Sequence, residues 1–231
     1  MSARTFVVDG GTSGLGYQVA RMLAPDNRVV VLGNVAQEVD AVREELGCDG
    51  VVCDVSQPEQ VRDALDGIVA RHGKIDGLAH CAARWAGGHL DELTPEMITM
   101  AIQVNVLGTA LLLREALIQM HRQGYGNIVY VSALATEVPR PGIPIYRATK
   151  SFGTSLVESL AEAQGTNSIK IMEIHPGPMP TRLQERTGDQ FLDEVYALPE
   201  QVAAEVVRLL LLSSDDLYVS GQKVLRADGR W

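Results

Sequence analysis

Short runs of β-branched residues alternate with segments of helical period along the chain, and this alternation constrains the fold more than any other feature. Each intervening segment is long enough to return the next strand parallel to the last by a right-handed crossover. The pattern predicts an α/β fold in which a doubly wound, seven-stranded parallel sheet carries helices on both faces. The strands are predicted at about residues 5–8, 28–32, 50–53, 76–80, 127–132, 169–174 and 222–225.

The segments between the strands have the apolar periodicity of helices. Val35, Val39 and Val42 follow one another at spacings of four and three, which brings them onto one side of a helix. A longer helix is predicted to begin at residues 94–96, where a threonine can cap the helix and a proline takes its first position. No polar or low-complexity stretch divides the 231 residues, so a single domain over residues 1–231 is expected.

Composition excludes several classes of partner. A net charge of −9 argues against nucleic acid, because phosphate binding needs clustered lysine and arginine. The cysteines Cys48, Cys53 and Cys81 lack the spacing of metal ligands and suit a reducing compartment. No signal peptide is recognised, and apolar runs such as residues 209–212 are too short to span a bilayer. We therefore expect a cytoplasmic protein without a metal site or a membrane partner.

A glycine-rich turn follows the first strand directly and leads into a helix. Glycines let the backbone turn tightly and approach a pyrophosphate, which the amides at the helix N-terminus then hold. Strand, glycine turn and helix at the start of an α/β chain predict a Rossmann-like dinucleotide-binding unit. The turn residues expected at the cofactor are Gly10, Thr12, Ser13, Gly14, Leu15 and Gly16.

The spacing G-x-x-x-G-x-G, together with the later run Tyr146-Arg147-Ala148-Thr149-Lys150, resembles the short-chain dehydrogenase/reductase family. The resemblance extends over nearly the whole chain and includes Asp54, Asn105, Pro176-Gly177, Thr181 and the ending Ser220-Gly221-Gln222-Lys223-Val224. It implies an NAD(P)-dependent oxidoreductase that interconverts a carbonyl and an alcohol.

The tyrosine and lysine of this run carry the expected chemistry. Tyr146 and Lys150 are four residues apart, so they share one face of a helix. A phenol with a reference pKa of about 10 is a weak base at neutral pH, and the charge of Lys150 is expected to favour the phenolate. The resemblance also implies that Lys150 hydrogen-bonds the nicotinamide ribose and that Asn105 holds a water linking Lys150 to solvent.

The serine that steadies the substrate oxygen in this family usually stands thirteen residues before the tyrosine. That position is Ala133 here, and Ser132 is one residue earlier. Neighbouring strand residues point to opposite faces, so the site either lacks one hydroxyl donor or regains it from Ser132 through a bulge. Ser132 is kept as a candidate catalytic residue.

The resemblance implies further cofactor contacts, some at unusual residues. They are expected at Asn34, Asp54, Val55, His80, Cys81, Ala82, Tyr146, Lys150, Pro176, Gly177 and Thr181. Asp54 is equally suited to cap the following helix. His80 and Cys81 stand where the family has two asparagines, and Asp9 stands where it has a threonine. His80 is interpreted either as a pH-active group or as a structural donor behind the cofactor.

Cofactor choice depends on charge at the end of the second strand. NAD selectivity usually needs an acid there for the ribose 2′-hydroxyl, and NADP needs basic groups for its phosphate. Gly33 and Asn34 supply neither charge, and the missing acid slightly favours NADP(H).

The expected substrate is a small, partly apolar carbonyl or alcohol. A short lid helix over about residues 182–198 is predicted to cover it. Two other functions stay open: a cofactor-binding redox sensor or regulator with little turnover, favoured by Ala133, and a sugar-nucleotide epimerase, which generally needs a longer C-terminal region. The resemblance implies a homodimer or homotetramer formed through the long helices.

Overall fold

The structure is a computed structural model that describes residues 3–164, 168–181, 183, 197–213 and 222–224. Its strands are β1 (Thr5–Asp9), β2 (Arg28–Gly33), β3 (Asp49–Val52), β4 (Gly77–His80), β5 (Tyr125–Val131), β6 (Ser168–Pro176) and β7 (Gln222–Val224). They form one parallel sheet in the order β3-β2-β1-β4-β5-β6-β7. The predicted doubly wound parallel sheet is confirmed.

Helices cover both faces of the sheet. They are α1 (Gly14–Leu23), α2 (Ala36–Leu46), α3 (Pro58–His72), α4 (Pro95–Ile102), α5 (Thr109–Gln123), α6 (Pro144–Gln164) and α7 (Pro199–Leu210). A π-helical turn, Gln103–Gly108, joins α4 to α5, and a short 3₁₀ turn, Leu134–Thr136, follows β5.

Alternation along the strands divides the apolar side chains between two cores. Val7, Leu78 and Ile128 face the side of the sheet covered by α3, α5 and α6. Their neighbours Phe6 and Val8 face the opposite side, which α1, α2 and α7 cover. Because both faces are buried, the strands read as nearly continuous apolar runs, which is why the sequence revealed them.

The long helix predicted from residue 94 extends through α4, the π-helical turn and α5. Thr94 caps its start by accepting a hydrogen bond from the backbone amide of Met97, and Pro95 takes the first position. The element Pro95–Gln123 is long and apolar enough to cross a membrane by length and composition alone, a criterion that core helices also meet. Leu112, Leu113 and Met120 lie fully buried against the sheet.

The sheet order reverses direction between β1 and β4, which are hydrogen-bonded neighbours. In an open α/β sheet the loops on either side of such a point separate at the carboxyl ends of the strands and leave a crevice. The glycine turn after β1 and the loop after β4 meet there.

Candidate functional site

The glycine turn is packed so closely that side chains are excluded at two of its positions. Gly10 has φ +67°, and a Cβ on it would lie 2.7 Å from the amide nitrogen of Ala82. A Cβ on Gly16 would lie 2.2 Å from the carbonyl oxygen of Gly10. Helix α1 begins at Gly14 without a side-chain cap from Ser13, so its first amides remain available to an anion. The turn can therefore receive a phosphate group.

A cleft of about 750 Å³ opens at this turn, in the size range of a ligand site. It brings together most of the residues predicted from the sequence. The predicted residues that line it are Gly10, Thr12, Ser13, Gly14, Leu15, Gly16, Asn34, Asp54, Val55, Cys81, Ala82, Ser132, Tyr146, Lys150, Pro176, Gly177 and Thr181. The set joins the glycine turn to the tyrosine and lysine of α6 in one continuous space.

Tyr146 and Lys150 lie one turn apart on α6 and are both buried. Burial raises the pKa of Tyr146 to about 12. Burial also lowers the pKa of Lys150 to about 8, against the opposing effect of Cys81 and Asp9. The lysine Nζ donates to the carbonyl oxygen of Val131 at 2.6 Å. Desolvation thus governs the phenol without cofactor, and the lowering of its pKa by Lys150 beside a bound nicotinamide stays a prediction.

Ser132, predicted as a catalytic hydroxyl, lines the cleft, but its hydroxyl is paired with a side chain of α6. Its Oγ lies 2.7 Å from Oγ1 of Thr154, on the side of α6. Ala133 instead packs against Tyr146. No bulge shifts the register, since β5 pairs with β6 without interruption through Val131 and Ile174. Ala133 therefore occupies the position of the family serine beside Tyr146, and the hydroxyl of Ser132 bonds Thr154 instead.

Asn105, predicted as a catalytic residue, points into the protein. Its side-chain oxygen accepts from the amide of Arg84 at 2.7 Å, and its Nδ2 donates to the carbonyl oxygen of Arg84 and to Oγ1 of Thr149. The side chain is only 2% exposed and is not part of the cleft wall. Asn105 thus joins the loop after β4 to α6, and its part in a water relay to Lys150 stays a prediction.

His80, predicted as a cofactor contact, is completely buried beneath the cleft floor. One ring nitrogen lies 2.5 Å from the carboxylate of Asp9, and the other lies 2.8 Å from Oγ1 of Thr109. The hydroxyl of Thr109 donates its single hydrogen to the carbonyl oxygen of Asn105, so it must accept from His80. With both nitrogens occupied, His80 is a structural donor, which was one of the two interpretations from the sequence.

Asp54 does not cap α3, whose N-cap is Gln57, and its contact with the adenine stays a prediction. Its Oδ1 accepts hydrogen bonds from the amide and the hydroxyl of Ser56, in a turn that precedes α3. The residue also lines the cleft beyond β3. The side chain therefore shapes the turn and remains at the edge of the predicted cofactor site.

Glu38 and Trp85 are two of several cleft residues that the sequence analysis did not predict. Glu38, in the first turn of α2, accepts a hydrogen bond from the hydroxyl of Thr12 at 3.2 Å. Trp85 follows β4, and its ring lies 4.7 Å from that of Tyr146. Trp85 could have been suspected, because loops at the carboxyl ends of strands form the sites of such sheets.

Part of the predicted site cannot be placed. Residues 182 and 184–196 of the expected lid lie outside the described residues. Within the described ranges, no group of three or more His, Cys, Asp and Glu side chains could hold a metal ion.

Comparison with known proteins agrees with this geometry. A family model described as short chain dehydrogenase matches residues 4–191. Dehydrogenase/reductase SDR family member 4 of Mus musculus is 27% identical over 246 aligned positions, covering 99% of this chain and 88% of that protein. The 3-oxoacyl-[acyl-carrier-protein] reductase FabG of Thermotoga maritima is 26% identical, covering 99% of this chain and 98% of that protein. A solved short-chain type dehydrogenase/reductase from Mycobacterium ulcerans has a TM-score of 0.87 at 26% identity, covering 95% of this chain and 86% of that one. The chain therefore belongs to the short-chain dehydrogenase/reductase family of NAD(P)-dependent oxidoreductases.

Proposed function

We propose that this protein interconverts a small carbonyl compound and its alcohol, with Tyr146 as the proton donor and acceptor and Lys150 assisting it. The observation that supports this most directly is that both side chains share one cleft with the glycine turn. A nicotinamide dinucleotide, when bound, supplies or accepts the hydride. The protein holds the reacting oxygen near the hydroxyl of Tyr146 and moves the proton.

The protonation state of the tyrosine follows from its burial. A pKa of about 12 keeps the hydroxyl of Tyr146 protonated at neutral pH. A protonated phenol is the form that donates to a carbonyl oxygen during reduction. When the proton leaves, the ammonium of Lys150, one turn away on α6, can offset the new negative charge.

The residues around the glycine turn fit a dinucleotide. The turn approaches Ala82 so closely that no Cβ fits at Gly10, which leaves backbone rather than side chains facing the cleft. The first amides of α1 would hold the pyrophosphate, Asp54 and Val55 would meet the adenosine, and Pro176 and Gly177 would meet the nicotinamide end.

For selectivity between the two cofactors we favour NAD(H). Glu38 brings a carboxylate to the end of β2, where Gly33 and Asn34 carry no charge. Among the described residues, those lining this part of the cleft, from Asp9 to Ser56, include no lysine or arginine. A carboxylate can accept from a ribose 2′-hydroxyl and repels a 2′-phosphate. The preference for NADP(H) expected from the sequence relied on the absence of an acid at residues 33 and 34, and it did not consider α2.

A second candidate function is supported by one observation. With Ala133 facing Tyr146, the site has one hydroxyl donor fewer for a developing oxyanion. A protein that binds the cofactor but turns over little substrate, acting as a redox sensor, would tolerate this loss. The buried tyrosine and lysine favour the enzyme.

We also propose that the protein forms a homodimer or homotetramer through its long helices. Met97, Ile102 and Leu107 are large apolar residues that are exposed on α4 and the π-helical turn. Exposed apolar side chains clustered on one element are typical of an interface. Sedimentation of the protein at several concentrations measures this directly.

The proposed reaction is tested by the absorbance of reduced nicotinamide with a panel of aldehydes, ketones and quinones. Tyr146→Phe is expected to lower the turnover rate at least about 10²-fold, the usual contribution of a general acid. Tyr17→Phe is the matched control, because that hydroxyl bonds Glu45 on the surface, away from the cleft. Equal rates for Tyr146→Phe and wild type would overturn the mechanism. Cofactor binding without turnover of any panel member would favour the sensor.

A further inference from the structure

We infer that the substrate is a flat aromatic carbonyl compound whose ring lies against the indole of Trp85. This inference rests on the proposed function of Tyr146, because it concerns the space directly beside that hydroxyl.

The surroundings of Tyr146 are apolar. Ala133 and Ile143 pack against its ring together with Trp85, and Ala135 closes the same cluster. The nearby hydroxyls are engaged elsewhere: that of Ser132 pairs with Thr154, and that of Thr136 donates to the carbonyl oxygen of Ala133. This apolar cluster therefore favours an apolar group next to the reacting carbonyl.

The indole of Trp85 is held in one orientation. Its ring lies 4.7 Å from the ring of Tyr146 at an angle of 48°. It also packs against Gly87, where a Cβ would lie 2.3 Å from Nε1 of the indole. Any larger residue at position 87 would displace the indole. Trp85 nevertheless keeps part of its surface open to the cleft.

Hydrogen bonds fix the backbone on both sides of this tryptophan. The side-chain amide of Asn105 accepts a hydrogen bond from the backbone N–H of Arg84 and donates one to its C=O. The N–H of Gly88 donates to the carbonyl oxygen of Gly142 at 2.7 Å, which ties the tryptophan loop to the loop before α6. The indole is therefore preorganised, and a ligand that stacks on it does not bear the entropy cost of ordering the loop.

The segment after β5, which belongs to the same cluster, is also held by hydrogen bonds. The guanidinium of Arg147 donates to the carbonyl oxygens of Ala135 and Thr136 at 2.9 and 3.1 Å. This keeps the apolar face of Ala133 and Ala135 turned toward Tyr146. A planar ring fits a space bounded by one fixed aromatic face and small side chains. An aromatic pair then adds a factor of about three to ten in affinity beyond its buried area.

The first test compares benzaldehyde with cyclohexanecarbaldehyde, which carry the same functional group on a flat and a puckered ring. We expect wild type to prefer benzaldehyde in kcat/KM by about fivefold, mainly through KM. The preference should persist in Trp85→Phe and fall to about one in Trp85→Leu. Because the ratio is taken within each variant, general damage to the enzyme cancels. A wild-type ratio near one, or an unchanged ratio in Trp85→Leu, would overturn the inference.

The second test measures binding without turnover. Trp85 and Trp231 are the two tryptophans of the chain, so the fluorescence difference between wild type and Trp85→Phe reports Trp85. Benzamide is expected to quench this signal with at least about threefold higher affinity than cyclohexanecarboxamide. Equal affinities would overturn the inference. If no carbonyl compound is turned over at all, the proposed function fails, and the amide titration alone decides whether the aromatic site exists.

Discussion

Replacing Lys150 with methionine is expected to stabilise the cofactor-free protein at neutral pH. The side chain is only 2% exposed, and burial lowers its pKa from 10.5 to about 8. At 1.36 kcal/mol per pKa unit, holding this charge below pH 8 costs about 3 kcal/mol of folding free energy. The substitution also removes the hydrogen bond to the carbonyl oxygen of Val131, which is worth about 1 kcal/mol. We expect a net gain of about 2 kcal/mol.

The gain should depend on pH in a defined way. Between pH 8 and 10.5 the unfolded chain carries a proton on Lys150 that the folded protein has lost, so wild-type stability rises with pH over this range. The advantage of Lys150→Met is therefore fully present below pH 8 and disappears by about pH 10.5. Urea denaturation at pH 7 and pH 10.5 gives the free energy of unfolding of both proteins. The difference between the two proteins at each pH cancels the contributions of the other titrating groups.

Lys74 provides a matched control of opposite sign. Its hydrogen bond to Asp76 raises its pKa, so Lys74→Met should destabilise the protein at pH 7. The reasoning is refuted if Lys150→Met is less stable than wild type at pH 7, or if its advantage is the same at both pH values. In the first case the buried ammonium would be a net stabilising group.

Two further predictions concern the cleft. Ala133→Ser places a hydroxyl beside Tyr146. The steady-state rate of reduction should rise by a factor of up to about 10², which is the usual contribution of one oxyanion donor to the rate. An unchanged rate would mean that the reacting oxygen does not lie beside residue 133. Glu38→Gln removes a carboxylate from the adenosine end, and fluorescence titration should show the affinity for NADPH rising about tenfold relative to NADH. No change in that ratio would assign selectivity to another residue.

The fold and the floor of the cleft were predictable because they depend on local patterns. Both faces of the sheet are buried, so strands such as β2 appear as unbroken apolar runs. The glycine turn follows from steric exclusion between neighbouring backbone segments, which leaves glycine as the residue that fits at Gly10 and Gly16. The spacing of Tyr146 and Lys150 follows from helix geometry alone.

The sequence did not reveal the contacts in which a side chain's direction is decided by residues distant in the sequence. His80 turns inward because Asp9 and Thr109 together satisfy its two nitrogens, and Asn105 turns inward to bind the backbone of Arg84. Glu38 reaches the cleft because α2 packs beside the glycine turn. Each of these contacts joins residues far apart in the chain, so no periodicity or spacing in the sequence predicts it.

The buried pair beneath the cleft has a consequence for how this sequence can change. A single substitution of Asp9 by the family's threonine would leave the imidazole of His80 without its acceptor, and His80→Asn alone would leave a carboxylate buried without its partner. A protein that carries only one of these two substitutions is therefore expected to be less stable than a protein that carries neither or both. We therefore expect the two positions to evolve together, so that a descendant of this protein keeps both residues or exchanges both.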